Sequence, residues 1–315
     1  MDRYAEEMSL GEWQTAISDI KELVDPLVID FTGGEPTIYP NFLEVVEFCR
    51  SEGIDWIMTT NGSTLARDRF VQRLVAAYPL KVDVSVDGSS GDVHDDVRGV
   101  PGSLARIERG LRGLISERDR RGLNFAIRIK VTVHRLNAGK LVPIVDWAEK
   151  IGVTSIDFNP VGGLWREEQI ERLAISSRSD LAVLQDEIAG LIRLKSEGHS
   201  IETSTDSLLN MGAHFVGAVE FGSAPCRDPV RNFIVTPRGD VRGCGCSPPL
   251  GNVREQSATQ IWRGETARSG RLKSLGCSLQ VAVTKGTSSC LANKTFKDDV
   301  RRALLLLGFR ARRAL

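Results

Sequence analysis

The sequence predicts an α/β protein built on a parallel sheet, open or curled into a barrel, followed by a small cysteine-containing region. Three observations predict it. Short apolar runs alternate with helical patterns through the first half of the chain. Several of those runs end in a polar residue beside glycine. Five of the six cysteines fall within the last ninety residues.

The apolar runs are "LVIDF" from Leu27, "WIMTT" from Trp56, "VDVSV" from Val82, "FAIRIKVTV" from Phe125 and "SIDF" from Ser155. Rich in β-branched residues, they read as strands covered on both faces. Helices are expected between them. Ser9 and Glu12 form an S-x-x-E capping box ahead of Leu10, Trp13, Ile17, Ile20 and Val24 at helical spacing. Phe42, Val45, Val46 and Cys49 make a second apolar face, Leu104, Ile107, Leu111 and Ile115 a third, and Leu141, Ile144 and Trp147 a fourth. From about Gly162 the alternation stops. A helix with Leu181, Leu184, Ile188 and Ile192 inward follows Ser176, and "NFIVTPRGDVRGCGC" reads as a β-hairpin turning at "PRGD".

Composition excludes some functions. Lysine plus arginine and aspartate plus glutamate number 41 each, so no overall charge draws the chain to nucleic acid or an anionic membrane. No apolar run approaches the ~20 residues of a membrane span, and the N-terminus lacks a signal-peptide pattern. The expectation is a cytoplasmic protein whose cysteines are thiols or metal ligands rather than disulfides.

The strand ends carry the functional signal. They read "TGGE" at Thr32, "TNG" at Thr60, "VDG" at Val86, "TVHRLN" at Thr132 and "FNP" at Phe158. Five polar ends on one rim is the layout of a barrel-type active site. Gly33 and Gly34 allow positive φ and let a ligand approach bare backbone. Glu35 follows at the carboxyl end of the strand, where α/β folds place ligands. "HDDVRG" after the third strand reads as a polar loop, with His94, Asp95 and Asp96 beside an Arg98 able to meet an anionic ligand group. Asn137, after His134, reads as a helix cap. His199 and His214 fall in no motif.

Cys49 lies on an apolar helix face and reads as a structural thiol. Cys226, Cys244, Cys246, Cys277 and Cys290 include no C-x-x-C pair, which counts against a zinc ribbon. Four thiolates gathered by a hairpin and later loops suit an iron–sulfur cluster. The tail "RRALLLLGFRARRAL" reads as a short basic amphipathic helix.

"FTGGEP", "TNG", "VSVDG" and "HDDVRG", in this order and spacing, resemble the radical S-adenosylmethionine (radical SAM) enzymes. "NFIVTPRGDVRGCGCSPPLGNVREQSATQIW" resembles the twitch or SPASM-type extension that follows their barrel. The resemblance implies a partial (β/α) TIM-like barrel over residues 1–162, a helical connection over 163–222, an auxiliary iron–sulfur domain over 223–295 and a basic helix over 296–315. It implies S-adenosylmethionine across the strand ends, with Gly33, Gly34, Glu35 and Pro36 around the methionine amino group and Asn61, Ser85, Asp87 and Arg98 lining the pocket. It implies a [4Fe-4S] auxiliary cluster on Cys226, Cys244, Cys277 and Cys290, with Cys246 as a substitute. An external electron donor and a peptide, protein or small-molecule substrate come with it.

One departure stands out. The family's C-x-x-x-C-x-x-C loop precedes the first helix, whereas this chain has no cysteine before Cys49. The resemblance then implies that the first barrel strand and the radical-cluster loop are missing, that Met1 is not the ancestral start, and that "LVIDF" becomes a sheet edge. Three readings follow. In full-length form the enzyme cleaves S-adenosylmethionine to a 5′-deoxyadenosyl radical that abstracts hydrogen from a substrate. A remnant binds S-adenosylmethionine or a peptide without turnover. An unrelated (β/α) enzyme uses Glu35 and Asp87 as an acid–base pair.

Overall fold

The computed structural model describes residues 7–24, 26–161, 172–215, 228–244 and 247–274. They fall into two compact units. The first lies within Val28–Phe221, and the second joins residues up to Leu27 with described residues after Gly222.

The first unit is a five-stranded parallel sheet in the order β1-β2-β3-β4-β5: β1 (Val28–Phe31), β2 (Asp55–Thr60), β3 (Lys81–Ser85), β4 (Ala126–Val133) and β5 (Ser155–Pro160). Helices α2 (Phe42–Ser51), α3 (Asp68–Ala76), α4 (Gly91–Arg98), α5 (Ser103–Arg120) and α6 (Val142–Ile151) lie in the connections. Helix α7 (Arg178–Ser196) follows β5, N-capped by Ser177, and α8 (Thr205–Phe215) comes after it. The α/β class and the partial barrel are as the strand–helix alternation implies. Parallel pairing puts all five carboxyl ends on one edge.

One face of the sheet is apolar. Trp56, Met58, Val82, Val84, Ile127, Ile129, Val131, Val133, Ile156 and Phe158 are buried on it. Trp56 donates from Nε1 to the Ala77 carbonyl at 3.0 Å, which satisfies the indole without water. Phe31 packs edge-on against Phe42 and Trp56 with centroids 5.6 and 6.0 Å apart. All four apolar positions read on α2 are buried, Cys49 among them, and burial pushes its thiol up to about 12. It is a structural thiol.

The opposite face is covered as well, with Asp83 and Asp157 buried on it. Side chains alternate along a strand, and here the second set is polar. Asp83, Arg128 and Asp157 stand on neighbouring strands, with Asp83↔Arg128 and Arg128↔Ser155 in register. Arg128 donates to both oxygens of Asp83 at 2.9 and 2.6 Å and also pairs with Glu202. Thr203 Oγ1 donates to Asp157 Oδ1 at 2.9 Å. A buried charge needs such partners, so Asp83 of "VDVSV" and Arg128 of "AIRIKVTV" form one cross-strand network with Asp157 and Glu202.

The alternation does not end at Gly162 as cleanly as the sequence suggests. Residues 200–203 run along the free edge of β5 through a parallel bridge Ile156↔Ile201, with Ile156 N donating to Ser200 O at 2.9 Å and Glu202 N to Ile156 O at 2.8 Å. At the other margin β1 has one strand neighbour among the described residues, and Val28 is 49% exposed.

The second unit holds α1 (Leu10–Leu23), α9 (Asp228–Arg231), an antiparallel sheet of β6 (Ile234–Val235), β7 (Asp240–Arg242) and β8 (Gly251–Asn252), then α10 (Ala258–Arg263) and α11 (Glu265–Ser274). The hairpin turns at "PRGD" as read, closed by Thr236 N donating to Asp240 O at 2.9 Å. The capping box of Ser9 and Glu12 is present. Glu12 also pairs with Arg254 at 2.8 Å, and Met8 N donates to Pro237 O at 2.7 Å. Helix α1 is thereby a part of this unit, although it precedes the barrel strands in the chain. The basic helix expected over 296–315 lies outside the described residues. Among those described, no helix is long and apolar enough to cross a membrane.

Candidate cofactor site

The rim at the carboxyl ends of the strands is built from two hydrogen-bond networks. The first joins the ends of β1 and β2. Gly33 has φ +121°, which only glycine adopts without strain, and a Cβ built on Gly33 or Gly34 would meet nothing within 4 Å. Bare backbone therefore borders open space at the rim. Glu35 N-caps a 3₁₀ turn at Pro36–Ile38, with Pro36 at its first position.

The Glu35 carboxylate is the centre of this network. Its Oε1 accepts from Thr37 N at 3.2 Å, Thr37 Oγ1 at 2.5 Å and Thr60 Oγ1 at 2.7 Å, and its Oε2 accepts from Asn61 N at 2.6 Å. Thr60 Oγ1 accepts in turn from Gly62 N at 3.0 Å, and Thr64 donates to Thr37 at 2.9 Å. "GGEPT" and "TNG" are thus one piece of structure. Four donors meet a single carboxylate that remains half-exposed, with a lone pair on Oε2 still open. Asn61 uses its Oδ1 to accept from Ser63 N at 2.9 Å, and its amide nitrogen is unpaired among the described residues. Ser85, the last residue of β3, is half-buried with an equally unpaired hydroxyl.

The second network joins the ends of β3 and β4. "HDDVRG" is helix α4 rather than a loop. Its polar residues each have a task. Asp95 caps α5 by accepting from Leu104 N at 2.9 Å and Ser103 Oγ at 2.8 Å, and Asp96 pairs with Arg172 at 2.9 Å. His94 and Arg98, one helical turn apart, both face Asp87. Asp87 is 2% exposed, with Arg98 Nε 2.7 Å from its Oδ2 as an ion pair, though off the axis of a hydrogen bond. Burial raises the Asp87 pKa, and the Arg98 charge partly offsets that. The anionic group that Arg98 meets is thus this carboxylate.

Asn137 caps no helix; α6 begins at Val142 after Leu141. Its Nδ2 donates to Asp87 O at 2.8 Å and Thr132 O at 2.9 Å, while its Oδ1 accepts from His134 N at 2.8 Å. His94 Nδ1 accepts from Asp87 N at 3.1 Å, and His134 Nδ1 from Leu136 N at 3.2 Å. An accepting Nδ1 places the ring proton on Nε2 in each case. Glu35 and Asp87 therefore sit in separate networks, each committed to other groups.

Burial and the charge of Arg98 lower His94 and His134 from the usual 6.5 to about 4. Both rings are neutral in the folded protein at neutral pH. The unfolded chain takes up a proton on each near pH 6.5, so between these values it binds more protons than the folded state. Stability is then complete above about pH 6.5 and falls as the pH drops toward 4, by at most about 3 kcal/mol per ring. Urea midpoints at pH 7 and pH 4.5 should differ accordingly, and His134→Asn should narrow the gap. An equal gap in both proteins would refute the assignment.

In the second unit Cys244 follows β7, half-buried, where Ser247 N and Oγ donate to its carbonyl at 3.2 and 3.0 Å. Cys226, Cys246, Cys277 and Cys290 lie outside the described residues. Among those described, no three His, Cys, Asp or Glu side chains are grouped to hold a metal ion. His199 pairs with Glu149 at 2.6 Å, and His214 bonds the Val161 carbonyl at 3.0 Å; both are structural.

The sequence motifs name the glycines, Glu35 and Asn61 but not the two threonines, Thr37 and Thr64, that help to hold Glu35. Thr37 and Thr64 have no motif of their own. Asn137, expected to cap a helix, instead ties two strand ends together.

Comparison with known proteins agrees with this architecture. Residues 1–121 match the Radical SAM superfamily, and residues 226–290 match the SPASM iron–sulfur cluster-binding domain. The chain is 25% identical over 283 residues to an AdoMet-dependent heme synthase of Methanosarcina barkeri, covering 82% of this chain and 74% of that protein. It is 32% identical over 149 residues to the mycofactocin maturase MftC of Mycobacterium ulcerans, covering 47% of this chain and 38% of the relative. Among solved structures, anSMEcpe with bound AdoMet and the Cp18Cys peptide superposes with a TM-score of 0.60 at 15% identity, covering 96% of this chain and 88% of the other, which shows a shared fold. An open glycine edge beside an anchored carboxylate fits S-adenosylmethionine, whose methionine end carries an ammonium. A radical SAM match over residues 1–121 followed by a SPASM match over residues 226–290 implies S-adenosylmethionine and an iron–sulfur cluster as the cofactors of these two regions.

Proposed function

We propose that the rim binds S-adenosylmethionine at Gly33, Gly34 and Glu35, with Pro36, Asn61 and Ser85 beside them. Asp87 and Arg98 shape that pocket through their mutual pair. The observation that supports this reading is the open glycine backbone next to a carboxylate fixed by four donors. A carboxylate so held presents its free lone pair to an ammonium in one direction. The bound cofactor would supply hydrogen-abstraction chemistry when reduced by a radical cluster. The protein's share is to hold the cofactor's methionine end against the rim. The late cysteines, Cys244 among them, would hold the auxiliary cluster. Peptides are the substrate class to test first, since anSMEcpe has been solved with a peptide bound. The heme synthase relative supports a small-molecule substrate as the alternative.

A second reading has its own support. No C-x-x-x-C-x-x-C occurs in the 315 residues, and a binding protein without turnover needs none. Anaerobic incubation of the reconstituted chain with S-adenosylmethionine and dithionite separates the two. Without the three-cysteine set the chain is expected to release no 5′-deoxyadenosine. Its formation would favour the enzyme reading for this chain as it stands.

A further inference from the structure

Asp87 is held at every level by side chains from other elements. Its N–H donates to His94 Nδ1 at 3.1 Å, its carbonyl accepts from Asn137 Nδ2 at 2.8 Å, and its carboxylate lies 2.7 Å from Arg98 Nε. The β3–β4 register ends at Ser85↔Lys130, with one further bond from Val86 N to Lys130 O at 3.0 Å. Beyond that point the sheet offers Asp87 no ladder partner, yet buried main-chain groups require one. His94 and Asn137, both 0% exposed, supply them.

We propose that His94 and Asn137 are positioning residues for the cofactor rim. By gripping the main chain of Asp87 from α4 and from the turn after β4, they fix the end of β3 on which Ser85 stands. Neither touches the cofactor. Asn137 grips the end of β4 as well, through Thr132 O at 2.9 Å and His134 N at 2.8 Å, so a single side chain sets the spacing of two strand ends. His94 is suited to its part because burial keeps its ring neutral, with Nδ1 a standing acceptor. The inference rests on the proposed S-adenosylmethionine site.

The test is calorimetric titration of the full chain with S-adenosylmethionine, paired with thermal denaturation. The variants are His94→Asn, His94→Leu, His94→Gln and Asn137→Ala. Asparagine places Oδ1 where the imidazole Nδ1 sits and keeps the acceptor for Asp87 N–H. Leucine removes it, and glutamine moves it to the Nε2 position. Well below each melting temperature, His94→Leu and Asn137→Ala are expected to raise Kd about tenfold or more, with His94→Asn within about threefold of the native protein. Lower melting temperatures with an unchanged Kd would show a merely structural role and overturn the inference. Should His94→Leu not fold, His94→Asn against His94→Gln carries the same comparison, and equal Kd values overturn it. Failure of the native chain to bind overturns the cofactor reading, and this inference with it. Binding by the native chain with no change in the variants overturns this inference alone.

Discussion

Glu35→Ala is expected to weaken S-adenosylmethionine binding by about a hundredfold or more, because it removes the acceptor for four donors at once. Thr37 N, Thr37 Oγ1, Thr60 Oγ1 and Asn61 N all end on this carboxylate. Without it the Asn61 amide and the Thr60 hydroxyl lose their partner inside the rim, at about 1–3 kcal/mol for each group that water cannot reach. The turn that carries Gly33 at φ +121° then loses its tie to β2. Glu35→Gln separates charge from geometry. One amide oxygen can still serve Thr37 and Thr60, but the amide nitrogen faces Asn61 N–H, donor against donor. A smaller loss, about tenfold, is expected there. Calorimetry gives both values. Native-like affinity in Glu35→Ala would mean that the carboxylate only shapes a turn.

Cys244→Ala is expected to remove most of the iron from the anaerobically reconstituted protein. The native chain should hold roughly four irons as one auxiliary cluster, and a cluster deprived of a thiolate is lost or becomes labile. Iron analysis and the visible absorption of the cluster follow the change. Cys49→Ala is the internal control. Its thiol is fully buried beneath α2 with its pKa pushed up to about 12, so it should not ligate, and the iron content should stay at the native level. Iron near zero in the native protein, with zinc in its place, would sink the cluster assignment. Unchanged iron in Cys244→Ala would remove Cys244 from the ligand set.

The parallel sheet was legible because its apolar face writes itself into the chain. Trp56, Val82, Val84, Ile127 and Ile129 need burial, and their spacing gives the strands. The polar face was harder to read. Asp83, Arg128 and Asp157 look like ordinary charged residues until the register brings them side by side, since a cross-strand pair leaves no local signature. The same reason explains the site. Gly33, Gly34 and Glu35 are contiguous and carry a turn signal of their own, so the sequence exposed them. Asn137 acts fifty residues from Asp87, and only the adjacency of β3 and β4 makes one the partner of the other. Helix α4 was missed because "GDVHDDVR" has too few apolar residues to show a helical face, its inward positions being Val93 and the polar His94. Helix α1 joins the second unit through Glu12 and Met8, contacts made to residues more than two hundred positions away.

The most direct measurement is an anaerobic calorimetric titration of the intact chain with S-adenosylmethionine, repeated with Gly33→Val. Valine at φ +121° is strained, and its side chain would occupy the open edge where the cofactor is placed. Saturable binding at one molecule per chain, lost in Gly33→Val while the circular dichroism of the fold persists, is the predicted result. No binding by the native chain, or equal binding by both, would contradict the assignment of this rim as the cofactor site.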